Sequence, residues 1–129
     1  MQTSTNPPEG LTPLAWRALD LFRHSARAAY GDALVNLVLF GSRSRGEAQS
    51  DSDIDVAVVL RELRDRRADR DRTADLAYDA IVETGVDIHT VPVSLDEWEH
   101  PEQHANPALI RAIKRDGVVV YSVPRRVTG

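Results

Sequence analysis

Two apolar runs joined by a short polar connection limit what this chain can fold into. Leu34 to Phe40 (LVNLVLF) and Ile54 to Leu60 (IDVAVVL) each have the length and composition of a buried strand, and Gly41 ends the first. The segment Ser42 to Ser50 has room for little more than one helical turn, too short for the crossover that a parallel return requires. The second strand is therefore predicted to return antiparallel. That places the end of one strand and the start of the next at the same edge of the sheet.

That edge carries Asp53 and Asp55. Residues two apart on a strand project to the same side, so these carboxylates point together while Ile54 faces the opposite way. At about 6 Å and an effective dielectric of about 20, two such charges repel by about 3 kcal/mol, which a cation between them would relieve. Mg²⁺ suits the position, since it is commonly held by one or two carboxylates together with substrate phosphates. Gly41-Ser42, opening a helical turn after the first strand, would present free N–H groups to a phosphate.

The rest of the chain supplies helices and two further strands. Residues 1–11 (MQTSTNPPEGL) read as a mobile leader, because Pro7-Pro8 and Gly10 disfavour regular structure. Thr12-Pro13 makes an N-cap and first turn, after which Leu14, Ala18, Leu21, Phe22, Ala26 and Ala29 recur at helical spacing as far as Gly31. Arg61 to Thr84 is charged first, a solvated surface, and then amphipathic through Ala74, Leu76, Ala77, Ala80 and Ile81, stopping at Gly85.

Val86 to Pro92 alternates like a strand, and the crossover before it is long enough for a parallel return beside Asp53–Leu60. Asp87 is then expected at the same edge as Asp53 and Asp55, so that three carboxylates converge. His89 shares a strand face with Asp87 and reads as a core or rim histidine rather than a ligand. Ser94 to Trp98 is an N-capped turn, Pro107 to Arg115 a helix ending at Asp116-Gly117, and Val118 to Tyr121 a short strand. The predicted fold is α/β (α+β), a small mixed sheet of about four strands flanked by helices, over residues 12–122, with 123–129 as a tail.

Composition narrows the function. With 129 residues, 42% of them hydrophobic, the chain suits one compact domain, and a second catalytic domain is not expected. A formal net charge of −4 gives no footprint for a nucleic-acid backbone, so direct nucleic-acid binding is not expected, despite the arginines between Arg61 and Arg72. Without cysteine there is no disulfide, no thiolate zinc site and no thiol nucleophile. No apolar run approaches about 18 residues, so a soluble cytoplasmic protein with no membrane partner is expected.

Other motifs fail on particular residues. Asp51, Asp53, Asp55 and Glu62 occupy calcium-loop positions, but Val56 stands where that loop needs glycine, within a strand-like run. Gly41 and Gly46 are spaced as in a Walker loop, yet Glu47-Ala48 follows instead of Lys-Ser/Thr. The dinucleotide glycine pattern is missing, and no triad spacing surrounds Ser44.

Gly41-Ser42, the ten residues Arg43 to Ser52, and Asp53-Ile54-Asp55 together resemble the signature of the DNA polymerase beta nucleotidyltransferase superfamily. The fuller form, Gly41-Ser42-Arg43-Ser44-Arg45-Gly46 to Ser52-Asp53-Ile54-Asp55, with a close at Asn106-Pro107 and Ile113 to Tyr121, is similar to its minimal nucleotidyltransferases (MNT). Many of these are antitoxins of HEPN ribonuclease toxins. The resemblance implies a nucleotidyltransferase fold and transfer of AMP from ATP to a hydroxyl, with two Mg²⁺ ions on Asp53 and Asp55.

By the same resemblance Asp87 would hold the activating ion and accept the acceptor's proton. Gly41 would leave room for the triphosphate, and Ser42 would bind its phosphates; the guanidinium forks of Arg43 and Arg45 fit phosphate oxygens too, the alternative being solvent-facing arginines on the loop. The acceptor it implies is a tyrosine of a cognate HEPN toxin, silenced by AMPylation. Two alternatives stand beside it: an antitoxin that neutralises by binding alone, and a nucleotidyltransferase of a small-molecule alcohol.

Overall fold

The computed structural model describes residues 11–41 and 53–124. Helix α1 (Pro13–Tyr30) starts where the Thr12 hydroxyl accepts a hydrogen bond from the Ala15 amide at 3.1 Å, and it stops at Gly31, whose φ is 54°. Strands β1 (Leu34–Phe40) and β2 (Asp53–Leu60) follow, then helix α2 (Arg66–Thr84). The Asp65 carboxylate caps the start of α2, and Gly85 ends it in the left-handed conformation at φ 75°. Strand β3 (Asp87–Ser94), helices α3 (Leu95–Glu99) and α4 (Pro107–Asp116), and strand β4 (Val118–Ser122) complete the fold.

The four strands form one sheet in the order β3-β2-β1-β4. β1 runs antiparallel to both β2 and β4, and β3 runs parallel to β2, so β2 and β3 have the directions expected from their connections. Pro92 lies inside β3, which is tolerated because β3 is an edge strand.

Period-two alternation divides the sheet into two apolar faces. Leu37, Leu39, Ile54, Val56, Val58, Leu60 and Ile88 pack with Ala15, Ala18, Leu19, Phe22 and Ala26 of α1 and with Ala77 and Ala80 of α2. Val38, Ala57, Val59 and Val93 pack on the other face with Trp98 of α3 and with Ile110 and Ile113 of α4. The buried stripe of α1 is turned slightly from the expected one: Ala15 and Leu19 are fully buried, while Leu14 is 41% exposed. Alanines on both α1 and α2 permit a close approach of the two helices, and that contact selects the stripe.

The charged start of α2 is a surface, as expected, but some of its arginines tie elements together. Arg72 donates to the Ala29 carbonyl at 3.1 Å and stacks 4.5 Å over the Tyr30 ring, and Arg66 pairs with Glu97 of α3. Ser94 and Glu97 form a reciprocal capping box at the start of α3. Of the expected leader, Leu11 packs against the first apolar cluster, and residues 1–10 lie outside the described residues. Of the expected tail, the Val123 amide donates to the Val35 carbonyl at 2.9 Å, and residues 125–129 lie outside the described residues.

Gly117 joins α4 to β4 under a tight constraint. A Cβ placed there would stand 2.5 Å from the Ile113 carbonyl oxygen and 2.6 Å from Val38 Cγ1. Gly117→Ala is therefore expected to lose about 1–3 kcal/mol of stability in a denaturant titration. An unchanged midpoint would show that this junction has slack.

Candidate functional site

The parallel pairing of β2 and β3 is in register from its first residues, with Asp53 beside Asp87 and Asp55 beside His89. Alternation puts these four on the face that carries Ala57, Val59, Val91 and Val93 farther along the same strands. There α3 and α4 cover the face with Trp98, Ile110 and Ile113. At the strand starts Asp53, Asp87 and His89 are exposed and Asp55 is half-buried. The same stripe thus turns from apolar and covered to polar and open.

Asp53, Asp87 and His89 each place one potential ligand atom within 4.8 Å of the other two. His89 Nε2 stands 3.9 Å from Asp53 Oδ1, with the side chains 59% and 56% exposed, so solvent and ligands reach both. Two carboxylates and an imidazole at such spacing fit a divalent cation through oxygen donors, with one nitrogen besides.

Asp55 sits differently. Its Oδ2 would be 2.8 Å from a Cβ at Gly41, where the backbone has φ +85°. The positive φ therefore favours glycine at position 41, and a Cβ there would displace the Asp55 carboxylate. Burial raises the Asp55 pKa above the ordinary carboxylate value; charge on His89 opposes the shift and the Asp53 carboxylate adds to it.

Asp53, Asp55 and Asp87 thus reach one edge and one face, as the strand directions predicted, but the close donor cluster is Asp53, Asp87 and His89. Asp55 is set aside against Gly41. The space expected at Gly41 for a triphosphate is taken up on that side by Asp55. Ser42, Arg43 and Arg45, and the helical turn expected after Gly41, lie outside the described residues. His89, read from the sequence as a core or rim residue, stands on the rim as a member of the donor cluster. The available signal was its two-residue spacing from Asp87.

A cleft of about 390 Å³ lies elsewhere, at the other end of β2, lined by Tyr30, Leu60, Arg61, Arg64, Asp69 and Arg72 among others. The Tyr30 hydroxyl there is buried without a hydrogen-bond partner among the described residues, and burial raises its pKa. Arg72 covers the ring, and the carboxylate cluster is seven residues away along β2.

Residues 20–120 match the nucleotidyltransferase domain family. The chain belongs to that family. It is 36% identical over 104 residues to a candidate protein adenylyltransferase of Methanocaldococcus jannaschii, covering 80% of this chain and 69% of the relative. The fold is shared with a candidate nucleotidyltransferase from Sulfolobus solfataricus, solved at 1.40 Å (TM-score 0.54, 18% identity, 93% of this chain and 94% of that one).

It is shared as well with a toxin–antitoxin solved with AMP-PNP (TM-score 0.55, 22% identity, 84% and 73% covered). A third is a mutant of the toxin–antitoxin MntA-HpeT (TM-score 0.52, 21% identity, 84% and 73% covered). The family resemblance carried by Gly41 to Asp55 is borne out. For this nucleotidyltransferase no helix among the described residues is long and apolar enough to cross a membrane.

The raised pKa of Asp55 has a stability consequence in the metal-free protein. Below the ordinary value of 3.8 the carboxyl is protonated in both folded and unfolded chains, and no penalty exists. As pH rises from 3.8 through the raised value, the unfolded chain ionises first, and stability falls to a lower plateau that persists at neutral pH. Asp55→Asn in the presence of a chelator is therefore expected to raise Tm at neutral pH, with the gain vanishing below pH 3.8. An equal or lower Tm at neutral pH would contradict that electrostatic assignment.

Proposed function

We propose that this nucleotidyltransferase moves AMP from ATP to a side-chain hydroxyl of a partner protein, with Asp53, Asp55 and Asp87 as its acidic centre. The partner we propose is a cognate toxin of the HEPN ribonuclease type, so that modification of a tyrosine makes the enzyme an antitoxin. The observation that carries this reading is the in-register pairing of Asp53 with Asp87 on an open sheet edge. It gives two carboxylates from different strands a common target.

The relatives supply the direction. A sequence relative is named for protein adenylyl transfer, and a protein of the same fold is a toxin–antitoxin solved with an ATP analogue. Another structure of that kind carries glutamates in place of two aspartates that are two residues apart, the spacing of Asp53 and Asp55.

Divalent Mg²⁺ held by Asp53, Asp55 and Asp87 would supply charge neutralisation for the triphosphate and for the attacking oxygen. Asp87, exposed at the rim, would accept the proton of the incoming hydroxyl. The acceptor oxygen bonds to the α-phosphorus of ATP, the bond to the β-phosphate oxygen breaks, and pyrophosphate leaves. Ser42, Arg43 and Arg45 would bind the outer phosphates as hydroxyl and guanidinium donors. Gly41 contributes by leaving the Asp55 carboxylate its position.

Incubation with ATP, Mg²⁺ and the product of the adjacent gene, followed by intact-mass measurement, is expected to show the partner gaining one or more AMP units. Partner mass unchanged with every nucleotide triphosphate, despite a stable complex, would replace this reading with neutralisation by binding alone. Asp87→Ala is expected to lower transfer at least about 10²-fold, in line with loss of a general base. Its Tm should stay close to the parent's, because Asp87 is exposed and outside both apolar clusters.

A further inference from the structure

We propose that His89 is itself a metal ligand and that it biases this centre toward Mn²⁺ over Mg²⁺. The inference rests on the proposed nucleotidyl-transfer reading only in assuming that Asp53 and Asp87 hold a divalent ion.

Among the described residues, apolar packing does not account for the position of His89. Its strand neighbours Ile88 and Thr90 turn to the α2 side, where Ile88 enters the core and the Thr90 hydroxyl donates to the Thr73 hydroxyl at 3.0 Å. The His89 ring points the other way, exposed, and belongs to neither apolar cluster. What it meets is the carboxylate pair: its Nε2 stands 3.9 Å from Asp53 Oδ1 and within 4.8 Å of a donor atom from each aspartate. A contact of 3.9 Å between groups so exposed is too long for a hydrogen bond and stabilises little.

The spacing fits one coordination sphere. Donors about 2.1 Å from an octahedral ion stand about 3.0 Å apart when adjacent and about 4.2 Å apart when opposite. The 3.9 Å between His89 Nε2 and Asp53 Oδ1 lies inside that range, and the 4.8 Å that bounds all three donors lies about 0.6 Å beyond it. Register makes the arrangement reproducible: Asp87 and His89 are alternate residues of β3, opposite Asp53 and Asp55 of β2.

Donor chemistry then sets the preference. Mg²⁺ takes oxygen ligands almost to the exclusion of others, whereas imidazole is a good ligand for first-row transition ions. Mn²⁺ accepts carboxylates as readily as Mg²⁺ does and gains from a nitrogen donor as well. A centre made only of aspartates lacks that gain.

The test uses the full chain and Mn²⁺ alone, at mildly alkaline pH. Loss of the free-ion electron paramagnetic resonance signal gives Mn²⁺ affinity, competition gives Mg²⁺ affinity, and pulsed measurements detect nitrogen coupled to bound Mn²⁺. His89→Gln is expected to remove the nitrogen coupling and to weaken Mn²⁺ binding about tenfold, while Mg²⁺ affinity changes less than about twofold. His89 is exposed, so this variant should keep the parent's Tm. Mn²⁺ binding that Asp53→Asn abolishes but that shows no nitrogen coupling would overturn the role of His89 and leave the aspartate centre standing. Absence of any Mn²⁺ binding sensitive to Asp53→Asn would overturn both.

Discussion

In a parallel strand pair, equal positions on the two strands lie side by side and face the same way. β2 and β3 meet in that manner from Asp53 and Asp87 onward, and the nineteen-residue helix α2 between them makes the parallel return possible. Every feature of the candidate centre descends from this pairing. Slipping β3 by one residue would turn Asp87 and His89 toward the core and bring Ile88 out. Ile88 packed among α1 and α2 residues, and Val93 packed under α3 and α4, hold the register from both faces.

The open edge is the end of the sheet that α3 and α4 leave uncovered. Along β2 the stripe Asp53, Asp55, Ala57, Val59 passes from exposed to fully buried, and β3 runs in step through Asp87, His89, Val91 and Val93. Burying the Asp55 carboxyl costs stability, as its raised pKa registers, with the Asp53 charge adding to that cost and the two apolar clusters offsetting it. Carboxylates concentrated in this way fit the proposed cationic ligand.

Much of this was legible in the residues. Largely apolar runs marked β1 and β2, Thr12-Pro13 and Gly31 marked the ends of α1, and connection lengths indicated the directions of β2 and β3. Asp53, Asp55 and Asp87 followed from periodicity plus direction. The approach of Asp55 to Gly41 was not legible, because it is a contact between neighbouring strands that depends on side-chain rotamer and backbone φ. His89 stands on the rim, one of the two places its pattern allowed, and its approach to Asp53 and Asp87 was not legible because a lone histidine on an alternating strand looks the same whatever it faces. The phase of α1 was missed because Ala15 is less hydrophobic than Leu14, and only the facing alanines of α2 decide between them.

The central claim is that β2 and β3 present Asp53 and Asp87 together to the metal ions of a bound nucleoside triphosphate. A crystal structure with Mn²⁺ and a non-hydrolysable ATP analogue, phased to reveal anomalous scattering, tests it most directly. The account predicts anomalous peaks within ligand distance of both carboxylates, with the triphosphate bridging them to the strand end at Gly41. Triphosphate density bound elsewhere, or ions that touch neither Asp53 nor Asp87, would contradict it.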